Sequence, residues 1–257
     1  MREKLFDLGE KIAVITGSSR GIGRAIAERF AEAGARVVIS SRKAEACEET
    51  AAAINAAYGA SRAIAVAASL SVKEDLARLV ETTSARLGPV DILVCNAATN
   101  PHFGPMIGID DSRFRKVLEN NILANHWLVQ MVAPSMIARR DGVVIIVASI
   151  AGLRGIESIG AYGISKAGDI QLARTLAVEL GPHNIRVNCI VPGYIGTDFS
   201  RALWEDPARR KRIVQATPLR RIGTPDDVSG AAVFLASPAG RFVTGQTLVV
   251  DGGLTSA

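Results

Sequence analysis

Seven short runs rich in Val and Ile recur along this chain, and most of them lack a clean alternation of apolar and polar positions. They are "KIAVIT" (11–16), "RVVIS" (36–40), "RAIAVA" (62–67), "DILVCN" (91–96), "GVVIIVAS" (142–149), "IRVNCIV" (185–191) and "QTLVVD" (246–251). A strand with one wet face shows a period of two, whereas a strand covered on both faces need not. Longer helical stretches fill the gaps. In the first, Ile22, Ile26, Phe30 and Ala33 make an apolar stripe, and Gly34 stands where that helix should stop. Near the end, "TPDD" (224–227) reads as a helix start: Thr224 caps, Pro225 suits the first turn, and two acids face the dipole. Strand and helix in alternation predict a parallel sheet with right-handed crossovers. No linker or repeat divides the 257 residues. The chain reads as one α/β domain, 1–257, doubly wound, with a seven-stranded, mostly parallel sheet and helices on both faces. A variable segment at about 193–222 reads as a lid over a substrate.

Between the first strand and the first helix lies "TGSSRGIG" (16–23). Gly17, Gly21 and Gly23 permit tight turns and close backbone approach, and the helix N-terminus offers free N–H groups and a positive dipole end. The spacing is G-x3-G-x-G. At this place in a Rossmann-type fold it predicts a dinucleotide pyrophosphate, with Ser19, Arg20 and Ile22 among the contacts. The second strand ends "VVISSRK" (37–43). An acid at this point holds a ribose diol, whereas Arg accommodates a 2′-phosphate. Here stand Ser41 and Arg42, with Arg20 adding a second positive charge, so NADP is expected over NAD.

Composition excludes several other classes. The net charge is a mild +5, and its excess gathers in "RALWEDPARRKRIVQATPLRR" (201–221), which reads as a solvated helix face, with an electropositive rim for anionic substrates or cofactor phosphates as the second reading. No aromatic interleaving accompanies that run, so no nucleic-acid partner is expected. The longest apolar runs are far too short to span a bilayer, so no membrane partner is expected. The opening "MREKLFDLGEKIAVITG" carries charges inside any would-be signal core, so a cytoplasmic location is expected. Cys47, Cys95 and Cys189 are odd in number and read as reduced thiols. His102, His126 and His183 form no local ligand cluster, so no metal site is expected.

In "SIGAYGISKAG" (158–168), Tyr162 and Lys166 are four residues apart and share a helix face. A phenol is poorly matched to neutral pH, and a neighbouring ammonium favours the phenolate, so Lys166 is expected to bring Tyr162 toward neutrality. Ser149 ends the apolar run 142–149, at the carboxyl edge where open α/β sheets bind ligands. Asn121 falls on one helical stripe with Phe114, Leu118 and Leu128, so its amide must find partners, either local backbone or a water in a proton relay.

The motifs "TGSSRGIG", "CNAAT", "LENNI", "IVASIAG", "YGISK", "RVNCIVPGYIGT" and "TGQTLVVDGG" together resemble the short-chain dehydrogenase/reductase family over essentially the whole chain. Within it, "SSRK", "NAATNPHFG", "FSRALW" and "RRIGTPDD" are similar to the DHRS4-like carbonyl reductase and retinol dehydrogenase group. The resemblance implies a catalytic tetrad of Asn121, Ser149, Tyr162 and Lys166. Tyr162 would be the general acid/base, Ser149 would hold the substrate oxygen, and Lys166 would also bond the nicotinamide ribose. It further implies that Asn96 helps frame the cofactor, and that Pro192, Gly193, Ile195 and Thr197 of "PGYIGT" meet the nicotinamide. The implied activity is NADP(H)-dependent interconversion of a small-molecule carbonyl and alcohol, in a homotetramer. A 3-oxoacyl thioester as substrate, or a nucleotide-sensing module without chemistry, are the alternatives. Phe103, Leu203 and Trp204 suggest an apolar pocket, or packing of the lid itself.

Overall fold

The seven runs become strands β1 (Ile12–Thr16), β2 (Arg36–Ser40), β3 (Ala63–Ala65), β4 (Ile92–Cys95), β5 (Gly142–Val147), β6 (Ile185–Pro192) and β7 (Thr247–Val250). The computed structural model describes residues 4–256, without the side chains of Ala202 and Leu203; the expectation for Leu203 therefore lies outside the described side chains. The strands form one sheet in the order β3-β2-β1-β4-β5-β6-β7. Every neighbouring pair is parallel, so the expected "mostly parallel" sheet is wholly so. This is a Rossmann-type α/β fold. The order reverses between β1 and β4, and a crevice opens at the carboxyl edge of such a switch point.

The missing alternation has a direct cause in packing. All five residues of β1 and all six of β5 are buried. Val14, Val144 and Ile146 face a layer containing α3 (Lys73–Arg86), α5 (Ala124–Arg139) and α6 (Gly160–Leu180). Ala13, Ile15 and Ile145 face the opposite layer, built by α1 (Gly21–Glu32), α2 (Ala44–Tyr58) and α9 (Pro225–Ala236). Phe30 and Ile26 of α1 are fully buried there, each contributing about 1.5–3 kcal/mol by leaving water. The helix α9 starts as its sequence dictates. Thr224 and Asp227 form a reciprocal capping box, and Pro225 occupies the first turn.

Two local expectations are corrected. Ser149 lies beyond β5, which ends at Val147; it caps a short 3-10 turn over Ile150–Gly152. The stripe through Phe114, Leu118, Asn121 and Leu128 is not continuous. A π turn at Glu119–Leu123 separates α4 (Asp111–Leu118) from α5. The wider turn rotates α5 about the helix axis relative to α4. Phe114 and Leu118 are therefore only half-buried, whereas Asn120, Asn121 and Leu128 are buried. Two short helices, α7 (Arg201–Trp204) and α8 (Pro207–Ala216), lie between β6 and α9. Among the described residues no helix is long and apolar enough to cross a membrane.

Candidate active site

The Gly-rich turn is shaped by close approach. A Cβ on Gly23 would lie 2.5 Å from both the Asn96 amide nitrogen and the Gly17 carbonyl oxygen, and Gly17 and Gly21 hold φ of +67° and +59°. Asn96 makes this geometry: its Nδ2 donates to the carbonyls of Thr16 at 2.9 Å and Gly17 at 3.3 Å. The hydroxyl of Thr16 in turn accepts the backbone N–H groups of Asn96 and Ala97, both at 3.1 Å. Sequence reasoning passed over Thr16, although a hydroxyl ending an otherwise apolar strand was a visible signal. Arg20 caps α1 with backbone only, and the first turn carries no acid. An uncapped N-terminus in a cradle with no room for a side chain fits a pyrophosphate.

The other cofactor candidates divide between two places. Ser41 and Arg42 follow β2. The Ser41 hydroxyl is 3.1 Å from the Cys47 sulfur, and Arg42 is exposed with no polar partner among the described residues. Arg20 pairs with Asp198 at 3.5 Å, with both side chains exposed. Pro192 and Gly193 close β6 against β7, where Gly193 N–H donates to the Val250 carbonyl at 3.0 Å. Ile195 is buried and pairs with Gly223 as an isolated bridge. Thr197 touches the phosphate end: its Cγ2 stands 3.4 Å from where a Gly21 Cβ would be. Ser19 lends its carbonyl to Thr50, and Ile22 is half-buried behind the turn.

At the same sheet edge the structure gathers Ser149, Tyr162 and Lys166. A Cβ on Gly152 would fall 2.6 Å from the Lys166 carbonyl carbon, so only glycine lets the Ser149 turn lie flat on α6. Ser149 Oγ accepts the Ala151 N–H at 3.2 Å, and its hydroxyl favours the ionised form of the Tyr162 phenol. Tyr162 is half-buried, with the ring of Phe199 at 5.9 Å and 45° to its own. Lys166 is 1% exposed; its Nζ lies 5.7 Å from the Tyr162 ring centre. That nitrogen donates to the Val147 carbonyl at 2.9 Å and to Asp169 Oδ2 at 2.8 Å.

Here the electrostatic expectation is corrected. Burial raises the Tyr162 phenol above its ordinary value; Lys166 and Ser149 pull it down without overcoming that, and Asp169 adds to the rise. Lys166 divides its field between the phenol and a buried carboxylate. Burial opposes its charge, but Asp169 and Tyr162 outweigh that and hold the ammonium above the usual lysine range. Burial pushes Asp169 up, against the pull of Lys166 and Asn125. An acid on the buried stripe of α6, three residues after Lys166, was legible in the sequence, and the sequence reading passed over it.

The Asn121 amide bonds residues distant in sequence. Its Oδ1 accepts the Thr99 N–H at 2.8 Å, and its Nδ2 donates to the Thr99 carbonyl and to Ser165 Oγ, both at 3.0 Å. The amide thus pins the loop after β4 to α6. Trp204 is occupied within its own segment, donating to Ser200 Oγ at 3.1 Å and the Thr197 carbonyl at 3.3 Å. Phe103 carries the Arg209 guanidinium 5.7 Å over its ring.

A parallel sheet with a Gly-rich turn at its switch point, and Ser, Tyr and Lys at the same edge, has the form of a dinucleotide-binding α/β protein. Comparison with known proteins is consistent with that class. The family model described as enoyl-(acyl carrier protein) reductase matches residues 17–255. Dehydrogenase/reductase SDR family member 4 of Oryctolagus cuniculus is 43% identical over 97% of this chain and 95% of its own. A gluconate 5-dehydrogenase from Burkholderia cenocepacia, solved with NADP and tartrate, superposes with a TM-score of 0.93 at 34% identity over 98% of each chain. A 7α-hydroxysteroid dehydrogenase, solved with NADH and 7-oxo glycochenodeoxycholic acid, gives 0.93 at 37% identity over 98% of each. The chain belongs to the short-chain dehydrogenase/reductase family.

Proposed function

We propose that this protein is an NADP(H)-dependent oxidoreductase interconverting a carbonyl compound and its alcohol. The observation that carries the reading is the gathering of Ser149, Tyr162 and Lys166 on the sheet edge that also holds the uncapped start of α1. The cradle around Gly17, Gly21 and Gly23 would hold the pyrophosphate, Arg42 a 2′-phosphate, and Lys166 the nicotinamide ribose. When bound, the nicotinamide supplies or accepts the hydride. Ser149 holds the substrate oxygen as charge develops on it. Tyr162 gives that oxygen a proton in reduction and removes one in oxidation. Its raised pKa keeps it a phenol at neutral pH, the form reduction requires. Asn121 acts by holding the loop 96–99 in place. The segment 193–222 serves as the lid, with Phe199 over Tyr162 and Phe103 lining an apolar mouth.

Both NADP and NADH occur among the similar structures, so the NADP preference rests on Arg42 and on the absence of an acid after β2. The basic face of α8 beside Phe103 supports the 3-oxoacyl thioester as a second substrate class. The homotetramer follows from the family resemblance. The test is absorbance-monitored turnover of a panel of ketones, aldehydes and a 3-oxoacyl thioester with each nicotinamide. Substrate-dependent NADPH oxidation that vanishes in Tyr162→Phe is expected; full activity in that variant would sink the reading.

A further inference from the structure

The buried face of α6 carries one acid, Asp169, to which the proposed chemistry gives no part. Its side chain is fully buried, and it sits at the centre of a polar chain inside an apolar layer. Lys166 Nζ bonds the Val147 carbonyl and Asp169 Oδ2; Asp169 Oδ1 accepts from Asn125 Nδ2 at 2.9 Å. The same Nδ2 donates to the main-chain carbonyl of Asn121 at 2.6 Å. The chain therefore runs from β5 through α6 and α5 to the π turn. Asn125 turns its amide nitrogen to the carboxylate and leaves its own buried Oδ1 without a partner. That orientation serves an ionised carboxylate and would gain nothing from an apolar neighbour.

Stability alone is a poor reason for this arrangement. A buried ion pair is commonly matched or exceeded by well-packed apolar side chains of the same volume, so it is weak evidence of stabilisation. What an apolar residue cannot do is hold a neighbouring ammonium charged and aimed. Desolvation acts against the charge of Lys166, and Asp169 is the leading influence that opposes it. Lys166 and Asp169 also act on Tyr162 with opposite signs. The other ionisable groups facing the pair are Cys95 at the end of β4 and Cys189 on β6. Burial pushes both thiols up, Cys189 to about 12, so both stay uncharged through the working range. Arg174, further along α6, acts on Cys189.

We propose that Asp169, supported by Asn125, is a positioning residue that keeps Lys166 charged and aimed in the buried site and thereby sets the pH range over which Tyr162 works. The inference rests on the reading of Tyr162 as the acid/base. Its sign comes from the two neighbours. Removing the negative charge lets Tyr162 ionise at lower pH, and it leaves Lys166 a buried amine without a counter-ion, which gives up its proton at lower pH. Both limbs of an oxidation profile move toward acid.

The experiment is the pH dependence of kcat/KM for alcohol oxidation in wild type and Asp169→Asn, which keeps shape and an acceptor while removing the charge. The acid limb is expected to move down by about one pH unit or more, with a new fall on the alkaline side. A profile that superposes on the wild type, or a loss equal at every pH, overturns the proposal. If Asp169→Asn does not fold, thermal unfolding of Lys166→Met and Lys166→Met/Asp169→Asn decides instead. Lys166→Met strands a buried carboxylate whose folded pKa lies above its unfolded one, so it loses stability as pH rises through about 4 and beyond. The double variant should recover that loss at pH 8 and differ little at about pH 4. Equal melting curves at both pH values overturn the proposal. A wild type inactive with both nicotinamides fails the functional reading instead, and the unfolding comparison then decides the ion pair alone.

Discussion

Each residue of the site has a distinct measurable consequence. Tyr162→Phe keeps the ring that packs on Phe199 and removes the exchangeable proton. Turnover should fall by about 10²–10⁴-fold with a wild-type melting curve. The raised phenol pKa predicts an asymmetry between directions. Carbonyl reduction needs the phenol and should be flat with pH through neutrality. Alcohol oxidation needs the phenolate and should climb about tenfold per pH unit until the phenol titrates. Initial rates in both directions from pH 6 to 10 check this, and an oxidation rate already level at pH 7 would contradict it. Arg42→Asp replaces a cation with an anion beside the expected 2′-phosphate. Loss of one charge-assisted contact is worth about 1.5–3 kcal/mol, or roughly 10–150-fold in NADPH affinity, with NADH much less affected. Fluorescence titration of both cofactors reads the change, and wild type binding NADH as tightly as NADPH would remove its basis.

At the scale of elements, precision comes from close contacts between turns and helices. A side chain at Gly152 must push the Ser149 turn off α6, because its Cβ would overlap the Lys166 backbone. Gly152→Val is expected to lower kcat by about 100-fold, the usual cost of misplacing a reacting group by an ångström. Circular dichroism should show the helices intact. The capping box of α9 offers a contrasting test, since it lies in structure and outside the chemistry. Thr224→Ala should cost about 1 kcal/mol, or roughly 2–4 °C in melting temperature, and leave kcat unchanged. These elements differ in how far sequence exposes them. The strands, the α9 cap and the Gly-rich turn are local: propensity, period and turn chemistry write them over a few adjacent residues. The π turn at Glu119–Leu123 carries no comparable mark, because "LENNIL" suits an ordinary helix as well. Its presence is decided by packing against α6, where the Asn121 amide reaches Ser165.

For the whole molecule, fold order was readable, because strands buried on two faces and a switch point arise from pattern. The electrostatics were not. Lys166 and Tyr162 were visible as a pair, but the field at Tyr162 depends on desolvation and on Asp169, and that sum exists only after the two layers close on the sheet. The proposed homotetramer is likewise a matter for the assembled surface. Light scattering is expected to give about four times the 27.1 kDa chain mass, and a monomer at micromolar concentration would count against the proposed homotetramer. Thr197 rests against Gly21, and beside them Arg20 reaches Asp198. The root of the 193–222 segment and the first turn of α1 share these contacts, so order in one is linked to order in the other. Thermodynamic linkage is reciprocal: if a nucleotide settles the cradle and thereby readies the segment above Tyr162, an alcohol or carbonyl held under that segment must tighten the nucleotide's binding by the same factor.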